Sequence, residues 1–151
     1  MGGYLKVAPE ACFDEDGFFH SGDAGFVDAD GNLHWTGRTS DLIKTGGANV
    51  SPVELEEALL RHPSLKVAVA VGVPHPTLGQ EVVICAVAHD GVEVGEENVR
   101  SFLRGRLASY KIPRRVLFVT DHELSLTSNA KVRAEALRRL AASRLGAGQA
   151  P

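Results

Sequence analysis

The residues best suited to chemistry in this 151-residue chain crowd between Thr36 and Glu56. Gly37-Arg38 sets a planar, permanently charged fork of donors beside a pliant backbone point. Asp41-Leu42-Ile43-Lys44 reads as a short extended run with an apolar centre. Gly46-Gly47 admits positive φ and lets a ligand approach bare backbone, although the same pair also makes an ordinary hairpin turn. Ser51-Pro52-Val53-Glu54 spells a helix start, with Ser51 as N-cap, Pro52 at the first helical position and Glu54 closing a capping box. Elsewhere, Tyr110, Lys111, Arg114 and Arg115 form a basic cluster around Pro113. Asp23 supplies an acceptor-only carboxylate and Lys131 a compact ammonium. Taken singly, Asp23 is equally a turn residue, Arg38 a surface cation, and Lys131 a solvated charge in a polar loop before a helix.

In order along the chain these residues resemble the motifs of the adenylate-forming superfamily, the acyl-CoA synthetases and their relatives. The Thr36–Glu56 stretch looks like the family's core motif. Phe19-His20-Ser21-Gly22-Asp23 is similar to its aromatic-x-Thr-Gly-Asp motif, and Leu107-Ala108-Ser109-Tyr110-Lys111-Ile112-Pro113 matches its Leu-Ala-x-Tyr-Lys-x-Pro segment. Thr127-Ser128-Asn129-Ala130-Lys131-Val132-Arg133 sits where the family has Thr-x-x-Gly-Lys-x-x-Arg, with Ala130 in place of Gly and Ser125 where Pro is common.

The resemblance implies roles. Lys131 is the catalytic lysine, contacting the substrate carboxylate and the α-phosphate of ATP. Asp23 and Arg38 bind the ATP ribose. Ser40 occupies the hinge position, where Asp or Lys is usual, and about it the small domain swings between half-reactions. Gly46 and Gly47 line the pantetheine tunnel. Tyr110 and Arg114 lie where relatives hold CoA, with Arg114 favoured for its nucleotide and 3′-phosphate. Leu78 stands where some relatives stack an aromatic on adenine, a contact Leu cannot make. The implied reaction is carboxylic acid, ATP and CoA to acyl-CoA, AMP and pyrophosphate. Mg²⁺ accompanies ATP, bound mainly by a large N-terminal domain. Family members are several times longer than this chain, and their phosphate loop and acyl pocket have no counterpart in it. The expectation is therefore a C-terminal fragment or truncated frame that is inactive alone, with that large domain as its partner.

Size and composition agree with one small globular unit. A formal charge of -3 gives no reason to expect nucleic acid or an anionic membrane. Cys12 and Cys85 lie far apart and out of any metal or redox spacing, which points to a reduced cytoplasmic compartment. The histidines are scattered, so no structural metal is expected. No apolar run is long enough to span a bilayer.

The elements that must position these residues read as an α+β fold. It consists of a small three-stranded sheet packed with helices plus a short β-hairpin, preceded by a hairpin remnant of the large domain. Residues 1–37 form that remnant, with Asp30-Gly31 as its turn. Residues 38–144 form the C-terminal domain and 145–151 a flexible tail. Within the domain, Leu42–Lys44 and Ala48–Val50 are short strands and Pro52–Arg61 is a helix. Val67–Val73 and Glu81–Ala88 are buried strands, with Pro74–Gln80 turning between them. Glu96–Leu107 is an amphipathic helix with Val99, Phe102, Leu103 and Leu107 on its apolar stripe and Arg100, Arg104 and Arg106 on its wet side. Val116–Val119 is a third strand, Asp121–Ala130 a polar loop, and Val132–Ser143 the last helix. Two other functions share this pattern: a self-associating assembly module without catalysis, and an adenylation partner acting on a carrier protein's phosphopantetheine. The acid substrate cannot be read from these residues.

Overall fold

The structure, a computed structural model, describes residues 5–124 and 130–147, without the side chains of 9, 130–133 and 147. The chain divides into two compact units, Met1–Asp41 and Leu42–Pro151.

In the first unit, β1 (Asp23–Val27) and β2 (Leu33–Arg38) pair antiparallel, from Val27 opposite Leu33 to Asp23 opposite Arg38. Asp28 organises the turn. Its Oδ1 accepts the backbone N–H of Asp30 at 3.0 Å and of Asn32 at 2.8 Å, and His34 Nε2 lies 2.6 Å from Oδ2. The His34 hydrogen bond, then those of Asn32, hold the Asp28 carboxyl down to about 2. The hairpin leaves Phe26, Leu33 and Trp35 exposed.

The second unit contains β3 (Ile43–Thr45), β4 (Ala48–Val50), α1 (Pro52–Leu59), β5 (Leu65–His75), β6 (Gly79–Ala88), α2 (Glu96–Arg104), β7 (Arg115–Phe118), α3 (Asp121–Leu124) and α4 (Ala130–Ala147). β6 is the central strand. It pairs antiparallel with β5 along its whole length and parallel with β7 on its other edge. Ahead of β7 on that edge, the β3–β4 hairpin joins through Thr45 opposite Gly79. This is the expected α+β arrangement of a three-stranded sheet with an added hairpin.

Both faces of β6 are covered, so its side chains divide by alternation. Val82, Ile84 and Ala86 pack with Leu55 and Leu59 of α1 and with Val99 and Leu103 of α2. Val83, Cys85 and Val87 pack with Val119, Leu124 and with Leu137 and Ala141 of α4. Burial pushes the Cys85 thiol up to about 11, so it behaves as a small hydrophobe.

Several boundaries differ from the sequence reading, and four of them have a clear physical reason. β5 runs through Pro74 to His75, because β5 is an edge strand and tolerates a residue without an N–H. α2 stops at Arg104, with Gly105 as C-cap, and Leu107 follows the helix instead of ending it. The expected polar loop opens with the helical turn α3. There Thr120 Oγ1 accepts the Glu123 N–H at 3.2 Å and Glu123 Oε2 accepts the Thr120 N–H at 2.9 Å, a capping box. α4 begins at Ala130 and reaches Ala147, and Leu145 packs against the second cluster instead of opening a tail.

Candidate functional site

In the first unit, the hairpin register sets Asp23 directly across from Arg38. Arg38 Nε lies 3.3 Å from Asp23 Oδ1, and Trp35 Nε1 donates to the same oxygen at 3.4 Å. The two residues expected to bind ribose therefore form one exposed acceptor–donor pair. Beside them, Thr39 is fastened to Gly22: its N–H and its hydroxyl both donate to the Gly22 carbonyl, at 2.9 and 3.0 Å. Ser40 follows in a single helical turn, Thr39–Asp41, and its hydroxyl donates to Asp41 Oδ1 at 3.0 Å. The division between the two units falls one step further on, after Asp41.

In the second unit, Gly46 and Gly47 are the two loop residues of the β3–β4 hairpin, with φ of 56° and 82°. Positive φ at both loop positions is what a tight hairpin needs to match strand twist, and it favours glycine. A Cβ at Gly46 would come 3.3 Å from Leu78 Cδ2, whereas one at Gly47 would meet nothing within 4 Å.

Gly46 from the β3–β4 loop and Tyr110 and Arg114 from the segment around Pro113 line one groove of about 1030 Å³, together with His75, Leu78, Glu81, Arg100, Arg104 and Arg115. Gly47 is not among its lining residues. The groove is rich in arginine and has one carboxylate, Glu81, in its lining. Arg100 and Arg104 share the carboxylate of Glu97, and Arg115 Nε lies 3.7 Å from Glu96. Arg114 has no ion pair among the described residues, and Arg100 Nε is buried without a hydrogen-bond partner. Tyr110 is half exposed, and the chain is pinned at the next residue. Its neighbour Lys111, largely buried, places Nζ 2.5 and 2.7 Å from the two carboxylate oxygens of Glu54 at the start of α1. The Glu54 hydrogen bond raises the Lys111 pKa, so this amine stays charged and committed to the brace. Glu54 thus acts beyond its helix-start role, while its N–H donates to Ser51 Oγ at 3.4 Å.

His75, Arg100 and Arg104 were missed as lining residues by the sequence reading, which put both arginines on a wet helix face. Their spacing of four along α2 was the available signal, because such residues stand on one side of a helix. Lys131 lies in the first turn of α4, not in a loop before it, and its side chain is outside the described residues. Ser125, Thr127, Ser128 and Asn129 of the same motif also lie outside them. Among the described residues no group of three or more His, Cys, Asp or Glu could hold a metal ion, and no helix is long and apolar enough to cross a membrane.

Known proteins match this arrangement. An oxalate–CoA ligase of Arabidopsis thaliana is 42% identical over 118 residues, which are 78% of this chain and 23% of the ligase. A sulfoacetate–CoA ligase of Cupriavidus necator is 40% identical over 124 residues, 80% of this chain and 24% of its own. The crystal structure of ATP-bound MatB from Rhodopseudomonas palustris superposes with a TM-score of 0.74 at 35% identity, over 87% of this chain and 26% of that one. The chain thus spans about a quarter of the length of these relatives. The family described as the AMP-binding enzyme C-terminal domain matches residues 54–131, just over half of the chain and most of the groove's lining. On that match, with CoA ligases as its relatives, the chain belongs to the AMP-binding enzyme C-terminal domain family of adenylate-forming enzymes.

Proposed function

We propose that this chain is the mobile C-terminal domain of an ATP-dependent acyl-CoA synthetase, and that its arginine-rich groove receives CoA for the thioester-forming half-reaction. One observation carries the reading. Gly46 and the pair Tyr110 and Arg114, expected from two distant segments to meet CoA, line a single groove in which Arg114 has no ion pair among the described residues. An unpaired guanidinium amid further arginines suits the phosphates of a CoA nucleotide, and bare glycine backbone suits a narrow pantetheine arm.

The other roles follow the family pattern. A large N-terminal domain supplies the acid pocket and most ATP contacts. Asp23 accepts from the ribose hydroxyls while Arg38 donates to them. Carboxylate attack on the α-phosphorus of ATP forms acyl-AMP and expels pyrophosphate, and the Lys131 ammonium stabilises the charge that builds up there. Ser40 then serves as the pivot: the chain is fastened to the hairpin at Thr39 and leaves it just beyond, which suits torsional change at one point. The CoA thiol displaces AMP from the acyl group. Mg²⁺ travels with ATP, and no described residue of this chain is assigned to it.

Titrating CoA into the purified chain tests the central claim. Wild type should bind, and Arg114→Ala should weaken binding about tenfold, the scale of one charge-assisted contact. Binding that is equally strong in Arg114→Ala, or no binding by wild type, would remove the groove from CoA recognition. A carrier-borne phosphopantetheine would use the glycine loop but not the nucleotide contact, so it would show the same affinity in both proteins.

A second reading has its own observation. Val27, Leu33 and Trp35 are 64%, 76% and 56% exposed and stand on one face of the first hairpin, which a second copy could cover. Light scattering over a concentration series distinguishes a self-associating chain from a monomer.

A further inference from the structure

His75 stands at the end of β5, outside every motif that suggested a site, yet its ring is fixed in an uncommon way. One ring nitrogen, Nδ1, faces the backbone N–H of Thr77 at 3.3 Å, the backbone N–H of Leu78 at 3.4 Å and the Thr77 hydroxyl at 3.3 Å. Backbone N–H groups only donate, so Nδ1 accepts in these contacts and the ring N–H falls to Nε2. The ring therefore sets the shape of the short turn Pro76-Thr77-Leu78 between β5 and β6.

That turn is where the glycine loop is attached. The Leu78 carbonyl accepts the Gly46 N–H at 3.0 Å, and the Leu78 side chain sits against the place where a Gly46 side chain would begin. β3 meets β6 at a single register pair, Thr45 opposite Gly79. One further contact flanks it, Gln80 Oε1 accepting the Lys44 N–H at 2.9 Å. Ile43 and Val50 anchor the base of the hairpin in the first apolar cluster, but at its tip the position of Gly46 depends on where Leu78 holds its carbonyl. A continuous path thus runs from the His75 ring through the Leu78 carbonyl to Gly46, and His75, Leu78 and Gly46 all line the same groove.

The geometry points to His75 as the positioning residue of the glycine loop, holding it open at the groove for the thiol-bearing arm of CoA. The inference rests on the proposed function for its ligand, but not for its mechanics. His75 touches no reacting atom in this account and acts through the turn.

Amide hydrogen exchange and CoA titration on the 151-residue chain test the two parts separately. In His75→Ala, exchange at Gly46 should accelerate about tenfold, while amides in the middle of β6 keep their protection. CoA affinity should fall several-fold. His75→Asn, whose Oδ1 can take the place of Nδ1, should restore both. Unchanged Gly46 exchange in His75→Ala, or unchanged CoA affinity despite a loosened loop, would overturn the inference. If the alanine variant does not fold, long-range ¹H–¹⁵N correlation spectra of wild type decide instead. The Nε2–H tautomer of His75 is expected, and the Nδ1–H tautomer would refute the role. Loop exchange that follows His75 in a chain that never binds CoA would sink the proposed function and the loop's ligand together, leaving only a structural brace.

Discussion

Single residues in this domain are tuned by what surrounds them more than by their type. His62 shows this most directly. It is buried, its ring lies edge-on to Phe102 with centroids 4.7 Å apart, and Nδ1 accepts the Ser64 N–H at 3.2 Å. Burial first, and the nearby Arg106 charge second, push its pKa below the ordinary 6.5. The unfolded chain therefore binds more protons than the folded one just below that value. Stability should be complete above 6.5 and fall as pH drops through the lowered folded pKa. Urea midpoints at about pH 7.5 and 5.5 measure it, and His62→Asn, which keeps an acceptor for Ser64 but cannot titrate, should flatten much of the difference. An equal acid loss in the variant would assign the slope to other groups. The role proposed for Lys131 is tested at the same scale. If the proposed function holds, Lys131→Ala in an acyl-CoA synthetase carrying this chain should slow adenylation by roughly 10²–10³ while sparing thioester formation from supplied acyl-AMP. Equal loss in both half-reactions would make it a structural lysine.

The elements were legible in the sequence wherever burial was simple. The run Glu81–Ala88 announced a strand covered on both faces, and Ser51-Pro52 announced α1, because each signal is local. What escaped depended on neighbours distant in sequence. Pro74 read as a turn, and only its place on an edge strand lets β5 continue through it. Gly105 hid inside an apolar helical pattern whose last member, Leu107, packs on the core from beyond the helix end. α3 did carry a local signal, Thr120 three residues before Glu123, but in a polar stretch it passed for loop. Of the site, the glycine loop, Tyr110 and Arg114 were found through motifs. His75, Arg100 and Arg104 belong to the groove only because the sheet brings their elements together. Gly72 gives the element scale its own test. A Cβ there would stand 3.0 Å from Gln80 Cδ and Oε1 and from Ile43 Cγ2. Gly72→Ala should therefore displace Gln80 from the Lys44 N–H and loosen the β3–β4 hairpin, costing about 1–3 kcal/mol. Faster amide exchange at Lys44 than at β6 would locate the damage, and a fully protected Lys44 would contradict it.

For the whole molecule, the distribution of buried carbon decides what can stand alone. Both apolar clusters draw only on residues after Asp41, while Cys12 is the one core hydrophobic among the described residues before it. Removing residues 1–41 should leave a cooperative melt with a midpoint within about 4 °C of the intact chain, followed by circular dichroism. Loss of the cooperative transition would mean that the first unit supports the second. The two-sided burial of β6 has a further consequence. A one-residue slip against its neighbours would exchange Val82, Ile84 and Ala86 for Val83, Cys85 and Val87, one oily set for another of nearly equal greasiness. Water expulsion is almost blind to that error. Along that strand, alignment is instead spelled by polar pegs, Glu56 taking the Ala70 N–H and Gln80 taking that of Lys44, and the second of these fixes the address of the glycine loop together with Ile43 and Val50 at its base.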